Sequence, residues 1–285
     1  MKLAKLFAAG VIAVALAESA LGLYGPHSVA TEADWRAAAD QVKSQLKPDD
    51  LIVFAPAWVD QVGRQYLGDR MPVAMVARAD ADHYARIWEL SIKGGQADEA
   101  MGLVAKSEQS YGRVTLRLYE KPAAKPLHDF TAHFADARTT IRPLKSTDEA
   151  PCATEGEARR CGTSRIEPRI MEIDYHPRRG ILAPAMAGQT ITLAYDEVPG
   201  GLLVGYVGLH DYYARKNGDG VVTFRVRADD KQSVIVPVRV PSKEGQGWQR
   251  FELPLGEGTH QLRFEIEAEH ASQRLIGFAA EVRAP

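Results

Sequence analysis

Asp80 and Asp82 form a D-x-D pattern, with His83 directly after it. Two carboxylates in this spacing supply the hard oxygen ligands that a divalent cation prefers, and the histidine suits a base or a further ligand. The competing interpretation is an N-cap and polar turn before a strand that starts at Arg86. Asp80 and Asp82 are therefore a candidate metal site, and the polar turn stays open as the alternative.

Trp248 is a candidate for sugar recognition. Within Trp248–Leu255, the alternation places Trp248 on one strand face with Arg250 and Glu252, while Phe251 lies on the apolar face. An aromatic ring on a solvated face suits stacking against a sugar ring. The alternative is a tryptophan at a strand end that covers a neighbouring loop.

A second candidate cluster combines aromatic, acidic and basic side chains in a loop-rich stretch. Its members are Tyr206, His210, Asp211, Tyr212, Tyr213 and Arg215. Such side chains can stack on a hydroxyl-rich ligand and hydrogen-bond to it. Packing of the aromatic residues under the end of a sheet is the competing account. His210 and Asp211 are not evidence of a catalytic dyad, because successive strand residues point to opposite faces.

Sequence patterns of catalytic chemistry are missing from the chain. There is no G-x-S-x-G, no H-E-x-x-H, no Cys/His zinc spacing and no glycine-rich phosphate motif. We therefore assign no catalytic residue and no cofactor. A carboxylate pair for glycoside hydrolysis stays open, because such pairs meet only in space.

The N-terminus has the layout of an export signal. Residues 1–5 carry two lysines and no acid, and an apolar run from Leu6 to Ala17 follows. The run is shorter than the about 20 residues of a spanning helix, although Ala20–Leu23 is apolar again. Residues 1–20 are thus predicted to be a signal peptide or an uncleaved membrane anchor. In both cases the folded part lies outside the cytoplasm, periplasmic or secreted.

Cys152 and Cys161 are the two cysteines of the chain. An exported protein meets an oxidising environment in which a disulfide persists. The eight residues between them are mostly charged or small, and no C-x-x-C spacing is present. We predict a disulfide that closes an exposed loop.

The chain length predicts two domains, since 285 residues compare with about 150 per domain. The first, residues 31–120, shows helical spacing after a capping box at Thr31, and again over 58–67 and 97–105. Apolar runs between these helices indicate strands at 51–55, 72–76, 86–92 and 113–119. The alternation predicts a small Rossmann-like three-layer α/β domain with a mainly parallel sheet, whose ligands would bind beyond the carboxyl ends of its strands.

The second domain, residues 121–285, begins with the proline-punctuated linker Lys121–Pro126. Beyond the linker, apolar residues alternate with polar ones in about nine runs separated by turn residues. This pattern predicts an antiparallel β-sandwich, with jelly-roll connectivity preferred over an immunoglobulin-like one.

Composition and charge exclude several classes of protein. With 45% hydrophobic and 25% charged residues, the chain is neither disordered nor a multi-span membrane protein. The 35 basic and 37 acidic residues give a net charge of −2. Cleavage after Ala17 would remove two lysines, so −2 minus 2 gives −4 for the mature chain. Without a basic excess, no nucleic-acid partner is expected.

Two resemblances add to these expectations. The stretch from Trp35 through Asp49–Val53 to Tyr66-Leu67, followed by Arg86–Trp88, resembles the soluble extracytoplasmic region of protein-mannosyltransferase-type glycosyltransferases, which use polyprenyl-phosphate sugars. The resemblance places residues 80–86 at a turn. Family catalysis belongs to a loop between membrane spans that this chain lacks, so the activity does not carry over.

Gly201–Leu209 and Val221–Val226 are similar to galactose-binding-like jelly rolls that accompany carbohydrate-active enzymes. The leading hypothesis is a non-catalytic exported protein that binds a glycan or glycolipid or assists glycan assembly in the cell envelope. The first alternative is a glycosyltransferase-like or glycan-hydrolysing enzyme with its site at the strand ends of the α/β domain. The second is a structural partner that docks on a membrane glycosyltransferase.

Overall fold

The computed structural model describes residues 10–20, 29–71, 80–173, 176–210, 222–229, 232–238, 247–268 and 274–284. The chain divides into two compact units, Met1–Pro72 with Tyr84–Pro122, and Val73–His83 with Ala123–Pro285. Residues 80–83, with the candidate metal ligands, thus belong to the second unit.

The first unit combines helices with one small sheet. Residues 10–20 form the exposed helix α1. The other helices and the strands are α2 Glu32–Gln45, α3 Asp60–Leu67, β1 Asp50–Ala55, β2 Arg86–Ser91, β3 Ala105–Tyr111 and β4 Val114–Glu120. The capping box is confirmed: the Thr31 hydroxyl accepts from the Asp34 N–H, and the Asp34 carboxylate accepts from the Thr31 N–H. Within the described residues, no helix is both long and apolar enough to cross a membrane.

The sheet of the first unit is mixed, so the prediction of a mainly parallel, Rossmann-like sheet is wrong for the described residues. Its order is β1-β2-β4-β3, and only β1 and β2 pair in parallel. β4 is antiparallel to both β2 and β3, and Gly112 at φ 57 closes the short β3–β4 turn. A hairpin needs only a short turn, whereas parallel neighbours need a longer crossover.

The predicted helix over residues 97–105 is also wrong. Only Asp98–Ala100 form a single 3-10 turn, and β3 begins at Ala105. Gly102 at φ 76 interrupts any helix there, and the Ala97 N–H donates to the buried Glu89 carboxylate. The predicted strand over 72–76 lies outside the described residues.

The second unit is a β-sandwich, as predicted. Its strands are β5 Pro126–Asp129, β6 Arg138–Pro143, β7 Ala150–Pro151, β8 Ala153–Glu155, β9 Ala158–Cys161, β10 Ser164–Ile173, β11 His176–Ala185, β12 Gln189–Leu209, β13 Val222–Ala228, β14 Gln232–Val238, β15 Gln249–Ala268 and β16 Arg274–Arg283. The main hydrogen-bonded path runs β14-β13-β15-β12-β16-β11-β10-β9-β8.

Two long strands, β12 and β15, pass through both layers of the sandwich. The 189–195 half of β12 pairs with β6, and the 201–209 half pairs with β16. Register shifts between the halves mark the bend. A Cβ on Gly200 would lie 2.0 Å from the carbonyl oxygen of Gly256, so the two backbones meet at this corner only because residue 200 has no side chain.

The core of the second unit is apolar and aromatic. It contains six phenylalanines, Phe130, Phe134, Phe224, Phe251, Phe264 and Phe278. The ring centroids of Phe224 and Phe278 are 5.0 Å apart, and those of Phe130 and Phe264 are 4.8 Å apart. Since inward residues of both layers join this single cluster, the alternation in the sequence fixes which strand faces remain outside it.

Candidate functional site

The candidate site lies on one sheet face of the second unit. We call it the outer face: the side of β10, β11, β16, the 201–209 half of β12 and the 249–255 half of β15 that points away from the core. Val207, Phe251 and Phe278 lie in the core. Their neighbours along each strand therefore point to the outer face.

Tyr206 and Trp248, predicted separately, are brought together by Arg178. The Arg178 guanidinium lies 3.8 Å from the Tyr206 ring centroid and 5.8 Å from the Trp248 ring centroid. A guanidinium at these distances is attracted by the negative faces of both rings. The three side chains, from β11, β12 and the residue just before β15, form one cation–π cluster.

Trp248 is half-buried, and one edge of its ring packs against β16 at Gly277. The Cη2 atom of its ring lies 3.1 Å from the position that a Cβ on Gly277 would occupy. The missing side chain in β16 therefore makes the room that seats the ring. Arg250 and Glu252, which follow on the same face, form an ion pair with each other. The prediction that Trp248 shares the face of these two charged residues agrees with this geometry.

Tyr206 differs from the predicted role, because its hydroxyl is already engaged. It donates to Oδ2 of Asp80 at 2.5 Å. Nη2 of Arg283 donates to the same oxygen at 2.8 Å, and the Asp82 N–H donates to Oδ1 at 3.0 Å. The ring lies under Arg178. Tyr206 therefore positions Arg178 and Asp80. It does not offer a free ring face for stacking, because Arg178 lies over the ring.

Arg283 is the centre of a charged network. Its Nε donates to Glu281 at 2.6 Å, and its Nη1 donates to Asp82 at 3.2 Å, in addition to the bond with Asp80. Nε2 of His83 lies 2.6 Å from the same Glu281 oxygen, Oε1. The residues of 80–83 are therefore held against the last strand of the second unit.

The protonation states in this network follow from its hydrogen bonds. Burial opposes ionisation of Asp80, but the hydrogen bonds from Tyr206, the Asp82 N–H and Arg283 outweigh it and lower the carboxyl pKa to about 2. Burial and the neighbouring carboxylate raise the pKa of Tyr206 to about 12. At neutral pH the phenol is a donor and Asp80 an anionic acceptor.

The D-x-D pair is occupied by a guanidinium. Arg283 contacts both Asp80 and Asp82, where a bound cation would have to lie. The described residues contain no group of three His, Cys, Asp or Glu side chains arranged to hold a metal ion. The geometry favours the structural interpretation of these carboxylates, with a protein cation in place of a metal.

The remaining predicted residues have different outcomes. His210 follows β12, and its N–H donates to the carbonyl oxygen of Leu275 at 2.9 Å. Asp211, Tyr212, Tyr213 and Arg215 lie outside the described residues.

The predicted disulfide between Cys152 and Cys161 is confirmed. Its surroundings differ from the prediction of an exposed loop, because Cys161 is fully buried in the core and Cys152 packs against that core. The bond therefore attaches the β8–β9 hairpin to the core.

Sequence reasoning did not find Arg178, Glu281 or Arg283. The signal for Arg178 was present: Ile181 and Ala183 belong to the core, so the alternation of β11 puts Arg178 on the outer face. No local signal identifies the partners of Arg283, because Asp80 lies 203 positions earlier in the chain.

Comparison with known proteins gives similarity only at the level of solved structures. No protein-family model and no curated protein sequence matches the chain. The chain is similar to the CBM51-2 and INT domains of Clostridium perfringens ZmpB in complex with GlcNAc, with 12% identity, 52% of this chain covered and a TM-score of 0.33. The match spans 37% of that protein's own length.

Two smaller solved domains are also similar. One is the CBM51 module of C. perfringens GH95 in complex with methyl-galactose, with 12% identity, a TM-score of 0.31 and coverage of 50% of this chain and 100% of that one. The other is the K1 cleaved adhesin domain of Lys-gingipain from Porphyromonas gingivalis W83, with 14% identity, a TM-score of 0.31 and coverage of 52% and 98%. The resemblance of the first region to mannosyltransferase-type proteins stays a prediction.

Proposed function

We propose that the second unit is a carbohydrate-binding module that binds a glycan or glycolipid on its outer face, with Trp248 as the stacking surface. The observation that carries the proposal is the placement of Trp248. Its ring is seated over Gly277 and flanked by Arg178, outside the apolar core. A ring held in one orientation loses little conformational freedom when a sugar stacks on it.

The polar groups around Trp248 suit a hydroxyl-rich ligand. Arg250 and Glu252 lie on the same strand face, with side chains 43% and 42% exposed. A guanidinium offers several N–H donors, and a carboxylate accepts from two hydroxyls. A stacked ring bordered by a donor and an acceptor is a common arrangement in pockets that bind polar ligands.

We further propose that the unit is a galactose-binding-like jelly roll in an exported, non-catalytic protein of the cell envelope. The disulfide between Cys152 and Cys161 supports an oxidising compartment. The enzyme alternative loses its support, because Asp80 and Asp82 are bound to Arg283 and do not belong to the first unit. No observation supports a membrane glycosyltransferase as partner.

The proposal is tested by a glycan array followed by calorimetric titration of the mature protein. We expect wild-type protein to bind at least one envelope or plant glycan. Trp248→Ala should weaken that binding about two- to tenfold, because an aromatic stacking contact contributes roughly 0.5–1.5 kcal/mol. Unchanged far-UV circular dichroism would show that the variant is folded.

The matched control is Met101→Ala, which removes a large apolar side chain that is 64% exposed in the first unit and belongs to no proposed site. It should leave affinity for the array-selected glycan unchanged. Wild-type affinity in Trp248→Ala, or no glycan bound by the wild type, would contradict the proposal.

A further inference from the structure

Trp58 and Lys93 form a second exposed aromatic–cation pair, in the first unit. Trp58 follows β1 in a 3-10 turn, Ala57–Val59, and Lys93 follows β2. The Lys93 ammonium lies 5.9 Å from the centroid of the Trp58 ring. Because β1 and β2 are parallel, both residues lie beyond the carboxyl ends of neighbouring strands, where ligands of α/β sheets commonly bind.

The two loops that carry this pair are attached to each other. The Ile92 N–H donates to the Ala55 carbonyl at 3.0 Å, which extends the parallel pairing past the strand ends. A Cβ on Gly95 would lie 3.0 Å from Cδ of Pro56, so the loops pack closely at that glycine. Beside Trp58, Val59 is buried and anchors the turn. The positions of the ring and the ammonium are therefore set by the sheet.

Lys93 has an unusual backbone for a lysine, with φ at 54°. Residues with a Cβ are disfavoured in this left-handed region, and a glycine would fit at lower energetic cost. Local strain of this kind is concentrated at functional sites. Lys93 is therefore in an unfavourable backbone conformation. Among the described residues, no ion pair of its side chain offsets that cost.

Trp58 and Lys93 have no other polar partner within the described part of the chain, and the Trp58 side chain is 64% exposed. The acid nearest to Trp58 in sequence, Asp60, is ion-paired with Arg64 at 2.6 Å. Four residues further along the chain, in α3, Val62 is 36% exposed. The surface thus offers one ring-sized apolar area and one unpaired positive charge.

We propose that Trp58 and Lys93 bind an acidic sugar residue, with the apolar face of the pyranose on the indole and its carboxylate against the ammonium. The ammonium lies 5.9 Å from the ring centroid, so a sugar that contacts the indole can bring its carboxylate to Lys93. A membrane surface fits less well, because binding to a bilayer surface takes a broad apolar face or several basic residues, and this pair supplies one ring and one ammonium. This site is independent of the one proposed at Trp248.

The test compares two ligands that differ only in the charged group: trigalacturonate and neutral galactotriose, titrated calorimetrically against the mature protein. Trigalacturonate should bind about tenfold more tightly at low salt, and the difference should shrink as salt screens the charge. Trp58→Ala should weaken trigalacturonate binding about tenfold. Lys93→Gln should remove the preference for the acidic ligand, and Lys93→Arg should keep it.

Lys93→Gly separates binding from folding. It should leave the urea midpoint unchanged or raise it, because glycine relieves the left-handed conformation, and it should still lose the acidic preference. Repeating the titrations in Trp248→Ala removes any contribution of the second unit, so failure of one site is distinguishable from failure of the other.

Three results would overturn this inference. They are no trigalacturonate binding by the wild type, an acidic preference that survives Lys93→Gln, and Trp58-dependent binding to phosphatidylglycerol vesicles without sugar binding. The last would assign the pair to a membrane surface instead.

Discussion

The ionised, buried state of Asp80 in the second unit depends on contacts with residues distant in the sequence. Its side chain is 10% exposed, and it is surrounded by donors from Tyr206, Arg283 and the Asp82 backbone. A buried carboxylate is stable only when its oxygens are hydrogen-bonded and its charge is balanced. The network therefore converts a pair of acids that looks like a metal site into an attachment for residues 80–83.

Removing one donor should measure this attachment. Tyr206→Phe keeps the ring under Arg178 but deletes the hydrogen bond to Asp80, and we expect the free energy of unfolding to fall by about 1.5–3 kcal/mol. Urea denaturation at neutral pH gives the value. Tyr111→Phe is the control, since the Tyr111 hydroxyl has no hydrogen bond within the described residues. Equal stability of the two variants would contradict the assignment.

Tyr206→Phe should also change how the free energy of unfolding depends on pH. The folded pKa of Asp80 is about 2, below the ordinary aspartate value of 3.8, so the unfolded chain binds more protons between these values. The stabilisation is complete above about pH 4 and is lost as the pH falls towards 2. In Tyr206→Phe the folded pKa should rise, and the acid dependence of stability should become shallower over this window.

At the level of elements, the β8–β9 hairpin depends on its disulfide. The two strands have three and four residues, too few to be stable alone, and the bond joins Cys152 to the buried end of β9. The hairpin is attached to the core through Cys161.

Reduction should therefore weaken the second unit. The double variant Cys152→Ser with Cys161→Ser should lower the free energy of unfolding by about 2–4 kcal/mol, chiefly because the unfolded chain gains freedom. Wild-type protein measured with and without dithiothreitol gives an independent value. Stability that is equal in all three samples would refute a structural role for the bond.

β3 of the first unit was not predicted from the sequence, and its position in the sheet explains why. β3 has the sequence AKSEQSY and is an exposed edge strand, so it lacks the apolar alternation that indicates a strand. Its pairing with β4 comes from the short hairpin turn at Gly112.

At the level of the whole molecule, acid stability should reflect two histidines with opposite behaviour. His128 on β5 is partly buried and stacks on His133 at 4.4 Å, and burial followed by the neighbouring histidine lowers its pKa, against smaller contributions from Asp129 and Asp136. His260, which is partly buried, has a raised pKa because of hydrogen bonding to Asp229.

For His128, the unfolded chain binds more protons just below pH 6.5, so stability should decrease as the pH falls through this region. For His260, the contribution is fully present below pH 6.5 and is lost as the pH rises through the raised folded pKa. Urea midpoints between pH 5 and 8 should show a flatter acid limb in His128→Gln and not in His260→Gln. Identical profiles in both variants would rule out this account.

The sequence by itself determined the features that depend on local pattern. Period-two alternation placed Phe251 in a core and Trp248 outside it, and the Thr31 capping box began a helix. The cysteine spacing and the export signal together predicted the disulfide. These features require only neighbouring residues or a short loop, because backbone geometry alone relates their positions.

Only the tertiary structure decided which distant side chains meet. Arg283 lies about 200 positions from Asp80, yet it occupies the place where the D-x-D pattern suggested a metal. Arg178 joins Tyr206 to Trp248 from a third strand. The order and direction of strands in each sheet bring such residues together, and that order is set by the energy of the whole packed core and not by the local sequence around any one of them.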